Sequence, residues 1–159
     1  MNYFFLEPDL RAFKAQIEEL RVRTNETLVD MSEGTRQSSE TWHDNYLFEE
    51  GQRQWKMWAT QLQEWEAILD KTEVVAPAAL SDKVGIGSEV IMTDQESGQQ
   101  KTYRIGSYIA FEPGDISYAS PLGQILLFAS VGKIQKGMIA GAEKSFKIEK
   151  IRGFLKDMP

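Results

Sequence analysis

The chain has no cysteine and a single histidine, His43, which excludes a disulfide scaffold, a thiolate metal site and a His-rich metal centre. A Ser-His-Asp or Cys-His enzyme is not expected on the same ground. Neither GxxxxGK[ST] nor GxGxxG occurs, and the glycines at 85, 87, 132, 137 and 141 form no phosphate-cradling loop. Long apolar runs are missing as well. The stretch Tyr3 to Leu6 is cut off by Glu7-Pro8-Asp9, too short for a signal h-region and without a basic n-region, and nothing approaches a membrane span. The expectation is a cytoplasmic protein with no membrane partner. What is present, 159 residues with 42% hydrophobic and 26% charged, can bury a core in one domain or two small ones.

Charge is uneven along the chain. Residues 1–75 hold 8 Lys and Arg against 15 Asp and Glu, whereas residues 76–159 hold 10 against 9. With a net charge of −6, bulk binding to nucleic acid is disfavoured, because affinity for phosphate backbones comes from clustered Lys and Arg. Any nucleic-acid contact is local or indirect.

Two periodicities divide the sequence. Leu10, Phe13, Ile17, Leu20, Thr24, Leu28 and Met31 mark one helical stripe, and Pro8 suits the first turn of that helix. Ser32 to Ser39 reads as a polar loop. Phe48, Gly51, Trp55, Trp58, Leu62, Trp65 and Leu69 then recur at steps of three and four, a heptad seam. Two helices joined by a short loop lie antiparallel, so residues 9–71 predict a coiled-coil hairpin whose second helix, from about 43 to 70, is roughly 40 Å long. Trp55, Trp58 and Trp65 belong to the seam; Trp42 lies outside it.

Val74 to Leu80, with Pro77 at its centre, reads as an interdomain linker, and residues 72–80 as a hinge. Beyond it, Gly87 to Thr93 reads as a strand, Asp94 to Gly98 as a turn and Lys101 to Ile105 as the partner strand. Lys144 to Ile151 alternates Phe146 and Ile148 inward with Lys147 and Glu149 outward. Ser120 reads as the N-cap of a short helix with Pro121 at its first position. The fold class is therefore α+β, an N-terminal antiparallel helical hairpin over residues 1–75 followed by a small α+β domain over 76–159. Lys133, Lys136, Lys144, Lys147, Lys150, Arg152 and Lys156 are interspersed with Glu143, Glu149 and Asp157, a solvated sheet face or else a docking surface.

Several of these segments carry a resemblance. Gly87-Ser88-x-Val90, Tyr103-Arg104-Ile105 and Ile116-Ser117-x-x-Ser120-Pro121-Leu122-Gly123-x-x-Leu126-Leu127, followed by Val131-Gly132-Lys133, resemble the C-terminal domain of the bacterial GreA/GreB transcript-cleavage factors. The hairpin and its linker position are similar to the same family's coiled-coil domain. The resemblance implies an FKBP-like second domain that docks on RNA polymerase at the rim of its secondary channel, with Ser120, Pro121, Leu122 and Gly123 as docking residues. It also implies an acidic hairpin tip that helps hold a shared Mg²⁺ in the polymerase's own active site, so that backtracked RNA is hydrolysed. On this reading the protein is not itself an enzyme, binds no cofactor stably, meets RNA only within the elongation complex and is a monomer. An acidic arm on a nearly neutral body suits a channel lined with basic groups.

The family's tip pattern is an acid, two other residues, then Glu-Asn. Here Thr41-Trp42-His43-Asp44-Asn45 aligns with it, so Asp44-Asn45 fits the second part, Thr41 stands where the first acid belongs, and Glu40 is one residue early. After the paired leucines, Phe128-Ala129 replaces the family's more usual Gly and basic residue. Glu40 and Asp44, four apart, share a helix face if the helix reaches back to 40, and Mg²⁺ favours such carboxylate oxygens. The competing reading is a capping box, with Thr41 as N-cap and Asp44 reaching back to its free N–H. His43 is a pH-sensitive or phosphate contact or plain tip decoration, Trp42 a stacking contact or a packed staple, and Asn45 a family match or ordinary helix surface.

Alternative functions are a channel-occupying regulator that does not stimulate cleavage, an FKBP-like isomerase or chaperone module, and a coiled-coil adaptor that dimerises. Most aromatics of the second half (Tyr103, Tyr108, Phe111, Tyr118, Phe128, Phe146 and Phe154) are explicable as core, and this half has no tryptophan, which weakens the isomerase reading.

Overall fold

The computed structural model describes residues 1–37, 42–78 and 82–153, and for 32–37 and 42–47 the backbone alone. The chain divides into two compact units, one made of Met1–Ala12 with Thr72–Pro159 and the other of Phe13–Lys71. This differs from the expected boundary after residue 75. The first twelve residues belong with the second domain because their backbone partners are there.

In the helical unit, α1 (Glu7–Gln37) contributes its part from Phe13 on, and α2 is Trp42–Asp70. Pro8 lies in the first turn of α1, as expected. The loop expected at Ser32 to Ser39 is not seen in its first part, where α1 continues through Gln37; residues 38–41 lie outside the described residues. Once nucleated, a helix propagates through Ser and Thr at a cost of tenths of a kcal/mol each, and Gly34 costs only about 1 kcal/mol relative to Ala. The two helices meet as an antiparallel pair. The Phe13 and Trp65 rings lie 5.8 Å apart edge to face, Arg21 Nη2 is 2.9 Å from Glu66 Oε1, and the Arg23 guanidinium stands 5.5 Å from the Trp58 ring centre.

All seven seam positions of α2 are half-buried, in keeping with the heptad reading. On α1 the seam runs Leu10, Phe13, Ile17, Leu20, Thr24, Thr27 and Met31, while Leu28 is 48% exposed. The apolar residue misleads here because Thr27 covers its polarity locally, donating its hydroxyl to the Arg23 carbonyl at 3.0 Å. At Gly51 an added Cβ would stand 3.0 Å from Met31 Cγ, so the glycine permits the close approach of the two helices.

The other unit is built on a five-stranded sheet. Its strands are β3 (Ser88–Asp94), β4 (Gln100–Gly106), β5 (Asp115–Ser117), β6 (Ile134–Ile139) and β7 (Ala142–Gly153), in the order β5-β4-β3-β7-β6. Only the β4–β5 pair is parallel. A short helix, α3 (Pro121–Leu126), packs with the core of Val84, Val90, Met92, Ile105, Leu126, Ala129, Phe146, Ile148 and Ile151. The expected strands over 87–93, 101–105 and 144–151 and the turn between the first two are all present. In the turn, the Asp94 carboxylate accepts from the Glu96 N–H at 2.9 Å, which is the main reason its pKa lies below the ordinary value. Along β7 the inward positions are Phe146, Ile148 and then Ile151, because Ile91 pairs with Lys150 and Met92 with Ile148, which makes Glu149 a bulge.

Two strands escaped the sequence reading. β1 (Tyr3–Phe5) and β2 (Thr72–Val74) form a parallel pair, and Val75 N donates to Phe5 O at 2.9 Å. Residues 72–75 are thus paired rather than a free linker. Tyr108 N donates to Phe4 O at 3.0 Å, Phe4 N to the Tyr118 hydroxyl at 3.0 Å, and the Tyr3 and Tyr108 rings lie 4.4 Å apart. The fully buried Ser107 hydroxyl accepts from Leu6 N at 2.8 Å and donates to Asp9 Oδ2 at 2.6 Å, satisfying one amide at the start of α1 and a buried carboxylate together. Ser107→Ala removes both links and is expected to cost about 1–3 kcal/mol, read as a lower midpoint in urea denaturation.

Candidate functional site

The expected tip residues fall where least is described. Glu40 and Thr41 lie outside the described residues, and Trp42, His43, Asp44 and Asn45 form the first turn of α2, their side chains outside the described ones. The pairing of Glu40 with Asp44 therefore stands as an expectation. Elsewhere, among the described residues, no cluster of three His, Asp or Glu could hold a metal ion.

The other candidate site, Ser120 to Gly123, is fully described and begins one strand earlier. Arg104 on β4 lies opposite Asp115 on β5, its Nε 2.6 Å from the Asp115 carboxylate, whose side chain is only 2% exposed, and its Nη2 3.2 Å from Glu112. That pair fastens β5, which delivers Ser117. The Ser117 hydroxyl donates to the Tyr108 carbonyl at 2.6 Å and accepts from Ala119 N at 3.1 Å. Ser120 N and the Ser120 hydroxyl both donate to the Ser117 carbonyl, at 3.1 and 2.7 Å. The same hydroxyl accepts from Gly123 N at 3.0 Å, the N-cap bond expected from the sequence, with Pro121 at the first helical position.

Gly123 is required by space. A Cβ there would lie 2.1 Å from the Ser117 carbonyl oxygen. Leu122 is half-buried against the core, so of the four residues only Pro121 faces outward. It borders a shallow groove of about 510 Å³ shared with Gln124, Ile125, Gln135, Lys136 and Met138. Beside it, burial pushes the Tyr118 hydroxyl above the usual tyrosine range, so it stays protonated at neutral pH and accepts from Phe4 N. Nothing in this arrangement offers a nucleophile or an acid–base pair.

On the outer face of the sheet, Lys144 pairs with Glu96 at 3.0 Å, Arg152 with Glu89 at 3.6 Å, and Thr93 donates to Glu149 at 3.0 Å. This is the solvated mixed-charge face anticipated; Lys156 and Phe154 lie outside the described residues. Phe128 departs from the expected core role, being 73% exposed. Its position just beyond a helix that ends at Leu126 was the available signal.

The fold combines a helical hairpin with an α+β sheet unit that carries a capped short helix. Residues 79–153 match the family described as "Transcription elongation factor, GreA/GreB, C-term", so over these residues the chain is similar to the GreA/GreB C-terminal domain. It is 32% identical over 94 residues to transcription elongation factor GreA of Cereibacter sphaeroides, covering 58% of this chain and 62% of that protein. It is 28% identical over 111 residues to GreA of Aliarcobacter butzleri, covering 68% and 69%. The chain thus spans about three fifths of the length of the first of these curated relatives. The structure of GreA factor homolog 1 of Thermus thermophilus is similar at 22% identity and a TM-score of 0.47, covering 96% of this chain and all of that one.

Gly123→Ala is expected to destabilise the sheet unit by at least ~3 kcal/mol, since the obstacle is a backbone carbonyl. Ser120→Ala should cost about 0.5–2 kcal/mol as a lost N-cap. Denaturation followed by near-UV circular dichroism checks both.

Proposed function

We propose that this protein is a Gre-type transcription elongation factor that binds bacterial RNA polymerase at its secondary channel and modulates cleavage of backtracked RNA through its hairpin tip. The observation that carries the reading is the family match over residues 79–153, whose most family-like motif is the capped turn from Ser117 to Gly123. The second domain is the docking element, presenting Pro121 at the start of α3, and the hairpin is the arm that enters. The acidic charge of residues 1–75 supports entry into a basic channel. RNA polymerase remains the catalyst, in the cytoplasm, and the factor acts as a monomer.

The donor set at the tip suits the chemistry assigned to it. Asp44 and Glu40 offer hard carboxylate oxygens, and Mg²⁺ binds through one or two such groups while keeping several waters. Asp44 stands in the first turn of α2, Asn45 beside it, with Trp42 and His43 as further tip contacts. A bound Mg²⁺ would supply charge stabilisation at the polymerase's active site; the factor's own residues would position it. Thr41, in the place of the first family acid, favours a second reading in which the arm occupies the channel without stimulating cleavage.

RNA cleavage in a stalled, backtracked elongation complex, with and without the protein, decides between them. The expected result is weak, Mg²⁺-dependent stimulation. Asp44→Asn should abolish it while leaving polymerase binding and helix content nearly unchanged. If Asp44 serves only as a cap partner, the variant instead loses a few tenths to about 1 kcal/mol of hairpin stability and keeps its cleavage effect. Thr41→Asp should raise cleavage; a variant that binds but cleaves no faster assigns the protein to channel occupation.

A further inference from the structure

α3 ends at Leu126 with Leu127 as its C-cap, so Phe128 occupies the first position past the cap, and its φ of 66° is left-handed. Helices that end this way favour glycine there, because the Cβ of any other L residue crowds the backbone. The backbone imposes this conformation. Phe128 N donates to Val84 O at 2.8 Å, and Ala129 N to Leu126 O at 3.0 Å. The side chain returns nothing to the fold, since it is 73% exposed and outside the core cluster. Neither local conformation nor packing accounts for an aromatic residue at this point.

The surrounding segment has a consistent chemistry. Val131, on the connection between α3 and β6, and Ile134, the first residue of β6, are 45% and 51% exposed. From Ile116 to Ala142 there is no Asp or Glu, and the only charges are Lys133 and Lys136. The backbone of Asp82 and Lys83 pairs with the middle of this connection, Val131 N donating to Asp82 O at 3.3 Å and Lys83 bridged to Ser130. Among the described residues the ion pairs of this half involve Arg104, Lys144 and Arg152, and neither Lys133 nor Lys136 takes part in one of them. An exposed aromatic among aliphatic residues, with Lys133 and Lys136 close by in the chain, matches the make-up of a protein interface, where a few aromatic anchors carry most of the energy. Val131 and Ile134 offer no ring to stack on bases, and the chain's net charge is −6, which weighs against nucleic acid as the occupant.

We propose that Phe128, flanked by Val131, Ile134 and Lys133, is the anchor of a docking surface for an apolar pocket bordered by carboxylates on the protein surface of RNA polymerase. This inference rests on the polymerase-binding reading above and adds a contact to it. The strain at Phe128 is retained because binding, not folding, uses the side chain.

The test measures binding of the full chain to bacterial core RNA polymerase, together with the melting temperature, for the wild type, Phe128→Gly, Phe128→Asn and Lys133→Glu. Glycine and asparagine both tolerate the left-handed conformation, so both variants should melt at or above the wild-type temperature while binding at least ~10-fold more weakly. Lys133→Glu should also weaken binding, and the loss should shrink as salt is raised. Wild-type affinity in both Phe128 variants overturns the inference and leaves the polymerase reading intact. A wild-type protein that does not bind polymerase overturns that reading, and the inference falls with it. Concentration-dependent dimers in light scattering that vanish in Phe128→Gly, with polymerase affinity unchanged, assign the surface to a second copy and overturn the proposed occupant.

Discussion

The amides at the start of a helix have no partners within it, and at α1 this need is met from a hundred residues away. Ser107 lies just past the end of β4, fully buried, and its one hydroxyl serves both Leu6 N and the Asp9 carboxylate. Around that contact Phe5 and Leu6 are buried, β1 gains β2 as a partner, and Tyr118 and Tyr108 complete the backbone bonds of Phe4. The sheet unit therefore includes the chain's first twelve residues, and a cut by sequence position through residue 75 severs it. Replacing Ser107 by an apolar residue would take one hydrogen bond from a buried carboxylate and leave the buried Leu6 amide without this acceptor, and such losses are costly in the interior.

A second constraint organises the other end of the same unit. α3 has only six residues, too few to be stable by propensity, and it is held by its two ends. At its start Ser117, Ser120 and Gly123 share backbone and hydroxyl bonds in a space that admits no Cβ at Gly123. At its end the chain turns through a left-handed residue and returns to pair with Val84. The motif that carries the likeness to the GreA/GreB C-terminal domain is therefore first a folding device. The residues that this device leaves outside are Pro121 at one end and Phe128 at the other, and these are the ones the proposed docking uses.

The helical unit reads differently, because its information is local. Steps of three and four in α2 translate directly into a half-buried seam, since a helix repeats its face at that interval whatever it packs against. The exception at Leu28 shows the limit of the pattern, for a threonine that bonds its own helix backbone fits the seam and a leucine one step on does not. The loop anticipated from Ser32 failed for a related reason: weak helix formers end a helix only when something else competes for the backbone.

From the sequence alone came the two helices, strands β3, β4 and β7, the Asp94 turn, the Ser120 cap and the family resemblance, all of them written in spacing or in residues with a fixed local preference. The tertiary structure decided the rest: the β1–β2 pair, the grouping of residues 1–12 with the sheet, the short strands β5 and β6, the bulge at Glu149 and the exposure of Phe128. The three-residue strands β1, β2 and β5 contain too few positions for a period to show, and their backbone groups are satisfied by segments distant in the chain. Burial of a side chain likewise depends on which surface arrives to cover it. Periodicity records what one segment can do by itself; pairing and exposure are settled only when two remote segments meet.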